Sequence, residues 1–220
     1  MRAVDRSSVS ALADGGRGVP GRESEQQAHQ DGRVLRRARN REAVIDAVIA
    51  LMDEGVLDPA MVEIVERSQV SERSVFRYFE NLDELRHAVV RRTFERSAPL
   101  LALDVTSENE LDERIRRFVT MRVRFCEAQR LGGRLATARE HAVPAISEDL
   151  RLFRDLLRAQ VSELFSPELR ARPAREREQL LGAIFVLATF ESWDLYSRVL
   201  GRSRAEIERA LVQAIGALLS

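Results

Sequence analysis

The chain has 220 residues, with 35 acidic and 35 basic side chains, every basic one an arginine, for a formal net charge of zero. That length allows one large core, or a small head with a larger body, and with zero net charge it is the local placement of arginines that decides whether DNA is bound. No stretch is apolar and long enough to cross a bilayer, the N-terminus lacks the apolar centre of a secretory leader, and the lone Cys126 excludes an internal disulfide framework, so a cytoplasmic protein is expected.

Sustained apolar–polar alternation is missing and Ala, Leu, Arg and Glu dominate, which predicts an all-α fold of about nine helices. Residues 1–32 are rich in Gly, Ser, Arg, Gln and Asp and bury too little to offset ordering entropy, so a disordered tail is expected there. Arg33, Arg36, Arg37, Arg39 and Arg41 cluster at the start of the first predicted helix, 33–54, whose buried stripe is Val44, Val48, Leu51 and Met52 and whose stop is Gly55. Asp58 and Pro59 read as the cap and first position of a second helix carrying Met61, Ile64 and Val65. Ser71 reads as the cap of a third, through its hydroxyl, with Val70 and Val75 as a hydrophobic staple. Asn81 with Glu84 opens a fourth, which runs to about Ser97 before Pro99 breaks it.

In the second half, Ser107 and Glu110 form a predicted capping box for a helix carrying Leu111, Ile115, Phe118, Val119, Phe125 and Cys126, with Gly132-Gly133 as its end. A short helix to about His141 follows, and Pro144 opens another whose core face is Ile146, Leu150, Phe153, Leu157, Val161 and Leu164. A single long helix is predicted over 174–200, stopped by Gly201, and a second capping box, Ser203 with Glu206, opens the last helix.

Two short helices joined by a tight turn over 58–79 form a helix-turn-helix, whose second helix is suited to the DNA major groove. The run I-x-x-R-x-x-V-S-x-x-S-V-F-R-Y-F from Ile64 to Phe79, followed by N-L-D-E-L, resembles the TetR family of bacterial transcriptional regulators over roughly residues 33–97. The resemblance implies a DNA-binding head at 33–97 and a ligand-binding and dimerisation body at 98–220. It further implies a homodimeric repressor released from a palindromic double-stranded operator by a small-molecule inducer. A ligand-independent DNA-associated dimer with a structural or cell-division role is the alternative. Three positions depart from the family pattern: Gln69 replaces the usual turn glycine, and Ala60 and Leu82 replace a Thr and a Lys commonly used on phosphates.

The residues expected at DNA are Arg36, Arg37 and Arg39 on phosphates and Ser71, Glu72, Arg73, Ser74, Phe76, Arg77 and Tyr78 from the third helix. There Glu72, Arg73, Ser74, Arg77 and Tyr78 are predicted to face outward while Val75 and Phe79 turn in. Arg73 is the candidate base reader, through a guanine edge. Glu72 suits a cytosine amino group or simply the helix N-terminus, and Phe76 a thymine methyl or core packing. In the body, Phe118, Met121, Arg122, Phe125, Phe153, Phe190 and Trp193 are candidate ligand contacts, although core packing is the better explanation of each apolar one. Arg122 falls on an apolar face and needs a partner, either an internal carboxylate such as Glu140 or an anionic ligand.

The segment 180–200 is apolar on more than one face, which suits a helix covered by a partner subunit. Ile184, Phe185, Leu187, Tyr196, Ile207, Leu211 and Leu218 are the expected interface. No metal or cofactor is expected, because Glu84-x-x-His87 occurs once and lacks further carboxylates. With no nucleophile–base pair, phosphate loop or carboxylate pair, no enzyme is expected.

Overall fold

The computed structural model describes residues 21–220, with side chains from residue 32 onward. Residues 1–20 of the expected tail lie outside the described residues. The described residues contain eleven α-helices and no strand. They divide into a unit ending at Arg39 and a larger unit, Asn40–Ser220.

Helix α1 spans Gly21–Asp53 and so begins ahead of the expected start at Arg33, in a stretch of Glu, Gln and Ala that favours helix. Val44, Val48, Leu51 and Met52 are buried as their spacing requires. Helices α2 (Met61–Ser68), α3 (Glu72–Tyr78) and α4 (Leu82–Ser97) follow. Ile64, Val70, Val75, Phe79, Leu85 and Val89 join the α1 stripe in one cluster.

Asp58 does not cap α2. The helix starts later, capped at Ala60, whose N–H donates to Glu63 Oε2 at 2.7 Å. Asp58 instead receives Arg86 Nε at 2.8 Å and a bond from Arg139, because two guanidiniums offer it more than a lone backbone N–H can. Asn81 does cap α4, accepting Glu84 N at 2.9 Å.

A 3-10 turn, Ala98–Leu101, leads to α5 (Leu111–Ala128), α6 (Arg130–Arg139), α7 (Pro144–Leu164) and α8 (Ser166–Arg170). Then come α9 (Ala174–Leu187), α10 (Phe190–Asp194) and, after a π-helical turn at Leu195–Val199, α11 (Arg204–Leu219). The two helices beyond the expected nine are α8 and the piece gained where 174–200 breaks at Ala188–Thr189.

Helix α5 forms the centre of a second cluster, against α10 and α11, with α9 packed on α11. The first cluster continues past α4 into Leu135, Ala136, Val143 and Ile146 of the α6–α7 region. The Ser203–Glu206 box forms. The Ser107–Glu110 box does not, since the loop is tied by Asn109 Oδ1 accepting Thr106 N at 2.9 Å and α5 is left to start at Leu111 without a side-chain cap. Gly132 and Gly133 do not end α5. They lie inside α6, where the backbone comes too close to Thr93 and Phe190 for any side chain to fit.

Candidate nucleic-acid interface and interior cavity

The turn before α3 is built on Gln69, which adopts the left-handed conformation, φ 56° and ψ 23°, normally given to glycine. Its N–H bonds Val65 O at 3.0 Å, and its side-chain Nε2 donates to Glu66 O at 2.6 Å, so the residue caps α2 twice. Val70 and Val75 are both buried, as a staple requires. Ser71 stands at the N-cap position of α3, but its hydroxyl bonds the Ser74 hydroxyl at 3.1 Å, and the cap is made by backbone alone.

Ser71, Glu72, Arg73, Phe76 and Arg77 are exposed and Ser74 is half-buried. Phe76 is 48% exposed, so it is not a core residue. Tyr78 departs from expectation and is buried. Its ring belongs to the cluster built on α1 to α4, and its hydroxyl is bonded at 3.2 Å by Asn40 Nδ2 and at 3.2 Å by Arg77 Nη2. The Arg77 hydrogen bond outweighs burial and holds the phenol below its ordinary pKa. Tyr78 thus positions Arg77 and offers no face of its own to a groove. Arg36, Arg37 and Arg39 are exposed on α1.

Within the larger unit, α4, α6, α7 and the start of α10 enclose a cavity of about 480 Å³, a volume in the usual range for small-molecule sites. Of the candidate ligand residues, Phe125, Phe153 and Phe190 line it. Phe118, Met121, Arg122 and Trp193 do not. Phe118 is fully buried, edge-on to Phe165 at 5.7 Å, and Met121 and Trp193 are buried in the same cluster. Phe94, assigned by sequence to a head helix, is the main addition. Its ring meets Phe125 edge-on at 6.0 Å and Phe153 at 5.5 Å, while Phe125 and Phe153 stack at 5.4 Å.

Arg122 is 2% exposed and finds neither Glu140 nor any other carboxylate. Its Nε and Nη2 donate to Ala188 O at 3.0 and 2.8 Å, and the guanidinium lies over the Phe125 and Phe153 rings at 5.2 and 5.5 Å. Its Nη1 is buried without a partner, and burial pushes its pKa down. Glu140 is taken by Arg154, which also reaches Glu191 at 2.7 Å.

The expected subunit interface is only partly available. Ile184, Ile207 and Leu211 are buried in the chain's own core, because α9 and α11 turn those positions towards their own neighbours. Phe185, Leu187, Tyr196 and Leu218 are half-buried against the same core. Within 180–200 the large apolar residues that face outward are Val186, Leu195, Val199 and Leu200, all more than half exposed.

Among the described residues no three His, Cys, Asp or Glu side chains are grouped to hold a metal. His87 Nε2 pairs with Asp149 Oδ2 at 2.8 Å, and Glu84 accepts Glu80 N at 2.6 Å. Cys126 is buried, which pushes its thiol up to about 11 and keeps it protonated at neutral pH. No helix among the described residues is long and apolar enough to cross a membrane.

No protein-family model and no curated protein matches the chain. The fold is similar to that of a solved transcriptional regulator from Rhodococcus sp. Rha1, with a TM-score of 0.60 and 17% identity, covering 83% of this chain and 95% of that one.

Proposed function

We propose that the chain is a TetR-like DNA-binding transcriptional regulator, a homodimeric repressor that leaves a palindromic operator when a small molecule fills the body cavity. It is a binding protein and not an enzyme. The observation that carries this reading is the two-sided build of α3. Val75, Tyr78 and Phe79 fix one side in the core while Glu72, Arg73, Phe76 and Arg77 stand outward on the other. A short helix held this firmly, with the exposed Arg73 near its N-terminus, suits the major groove.

Arg73 is the base reader in this proposal, and Arg77, steadied by Ser74 Oγ at 3.3 Å and by Tyr78, serves a phosphate. Dimerisation is supported by the outward apolar residues Val186, Leu195, Val199 and Leu200. Ligand control needs only that the molecule bind the DNA-unfit state better.

The test is a band-shift assay on DNA flanking the protein's own coding region. Arg73→Ala is expected to lower affinity for the preferred site by roughly 5- to 150-fold, from about 1–3 kcal/mol for one bidentate base contact. Its dimer and its unfolding midpoint should match the native protein. Undiminished affinity would remove α3 from the reading role. Many dispersed genomic sites in place of a few palindromes would favour a structural DNA-associated dimer.

A further inference from the structure

The ligand, on the reading just given, has a chemistry that the cavity wall restricts. Each charged side chain in that wall already has a salt-bridge or hydrogen-bond partner within the protein. Arg91 faces Glu95 at 3.7 Å, Arg154 bridges Glu140 and Glu191, and Asp149 holds His87. The hydroxyls are committed too. Thr137 Oγ1 donates to Gly133 O at 2.9 Å, and Thr189 Oγ1 donates to Val186 O at 2.9 Å. Gln129 Nε2 is spent on Ser97 Oγ at 2.7 Å.

A charged ligand would lose its hydration here and gain no free counter-ion, and breaking the Arg154–Glu140 pair would strand a partly buried charge. What the wall offers instead is rings: Phe94, Phe125, Phe153 and Phe190, beside leucines from α7. Arg122 decides between ring partners. Its guanidinium sits over Phe125 and Phe153 without reaching the cavity, so its field draws on the π electrons that would otherwise attract a ligand cation.

The geometry points to an uncharged, apolar, ring-bearing molecule as the occupant of this cavity, held by stacking and edge contacts with the phenylalanines and not by an ion pair. The proposal rests on the body cavity being the control site of a DNA-binding regulator.

The experiment is a fluorescence titration of the full chain, without DNA, using three naphthalene probes. These are neutral N-phenylnaphthylamine, its sulfonated counterpart anilinonaphthalene sulfonate, and a naphthyl quaternary ammonium. The neutral probe is expected to bind at least about tenfold tighter than either charged one. Phe153→Leu, which keeps an apolar wall but removes a ring, should weaken it by about two- to tenfold. Leu156→Glu, at a 67% exposed rim position that tolerates charge, should weaken it as well.

Equal or tighter binding of the sulfonate would overturn the proposal, and preference for the ammonium would overturn it in the other direction. Neutral-probe affinity unmoved by both variants would place the probe elsewhere and also defeat it. Arg73-dependent DNA binding, measured separately without probe, stands or falls independently of all these outcomes.

Discussion

Arg122 donates two hydrogen bonds to the carbonyl oxygen of Ala188, and both residues are buried where the predicted 174–200 helix breaks. In an unbroken helix that carbonyl would accept the N–H of Ser192. Here Ser192 N turns to Thr189 Oγ1 at 3.3 Å, Thr189 caps α10, and Ala188 O is left to a side chain from α5. The break therefore does not leave an unpaired buried acceptor, and it sets Phe190 at the cavity wall.

Arg122→Met keeps most of the volume but strands the Ala188 carbonyl. A buried acceptor without a donor costs about 1–3 kcal/mol, and removal of an ion with no carboxylate partner offsets part of that. A loss of about 1–2 kcal/mol is expected from urea unfolding. Arg122→Ala adds a cavity and should cost about 3–5 kcal/mol. Equal losses in the two variants would mean that volume, and not the carbonyl cap, is what the guanidinium supplies.

Gln69 offers a test in the opposite direction. A non-glycine residue in the left-handed region costs about 1–2 kcal/mol, against which Gln69 recovers one exposed hydrogen bond to Glu66 O. Glycine would relieve the strain and give back part of the gain as unfolded-chain entropy. Gln69→Gly is expected to raise stability by about 0.5–1 kcal/mol in thermal unfolding, whereas Gln69→Val, branched at Cβ, should lower it. A destabilised glycine variant would show that the side-chain cap outweighs the strain.

The Glu140–Arg154 pair makes stability depend on acidity. The hydrogen bond from Arg154 outweighs burial and holds the Glu140 carboxyl below its ordinary 4.5. A carboxyl depressed on folding contributes its full stability above the unfolded value and loses it as pH falls through the lower folded value. Glu140→Gln should therefore be less stable than the native chain at neutral pH, with the gap closing below pH 4.5. Urea midpoints across that range check this, and a gap independent of pH would show that the charge is not the source.

How much of this was legible depended on whether the deciding partner was local in sequence. The Asn81 cap and the Ser203–Glu206 box are settled within a few residues, and their chemistry can be read directly. Asp58 looked like a cap until Arg86 and Arg139, both remote in sequence, claimed it. The break at Ala188 depends on Arg122, also far away in the chain, and nothing between 174 and 200 announces it. Tyr78 was placed on the outside because the helical spacing of α3 does not reveal Asn40 behind it. The cavity was half visible: Phe125, Phe153 and Phe190 were found by residue type, but Phe94 needed knowledge that α4 packs on the body helices.

The glycines of α6 make the same point and carry the last expectation. Gly-Gly reads as a helix end, since glycine is costly inside a helix. Here Gly132 is buried between helices, and a Cβ on it would fall on the Thr93 side chain and 2.8 Å from Gln129 Oε1. Thr93 cannot simply swing away, because its hydroxyl donates to Val90 O at 2.8 Å and its own Cβ is part of the clash. Helix α4 would have to lift from α6. Gly132→Ala gains about 1 kcal/mol of helix propensity, but overpacking a buried contact costs typically 1–3 kcal/mol, and the nearby Gln129–Ser97 bond is disturbed as well. A net loss is therefore expected in urea unfolding, where propensity alone predicts a gain. In a Thr93→Ala background the same substitution should cost less, since part of the obstacle is gone. Equal costs in the two backgrounds would mean the strain is not at the α4–α6 contact.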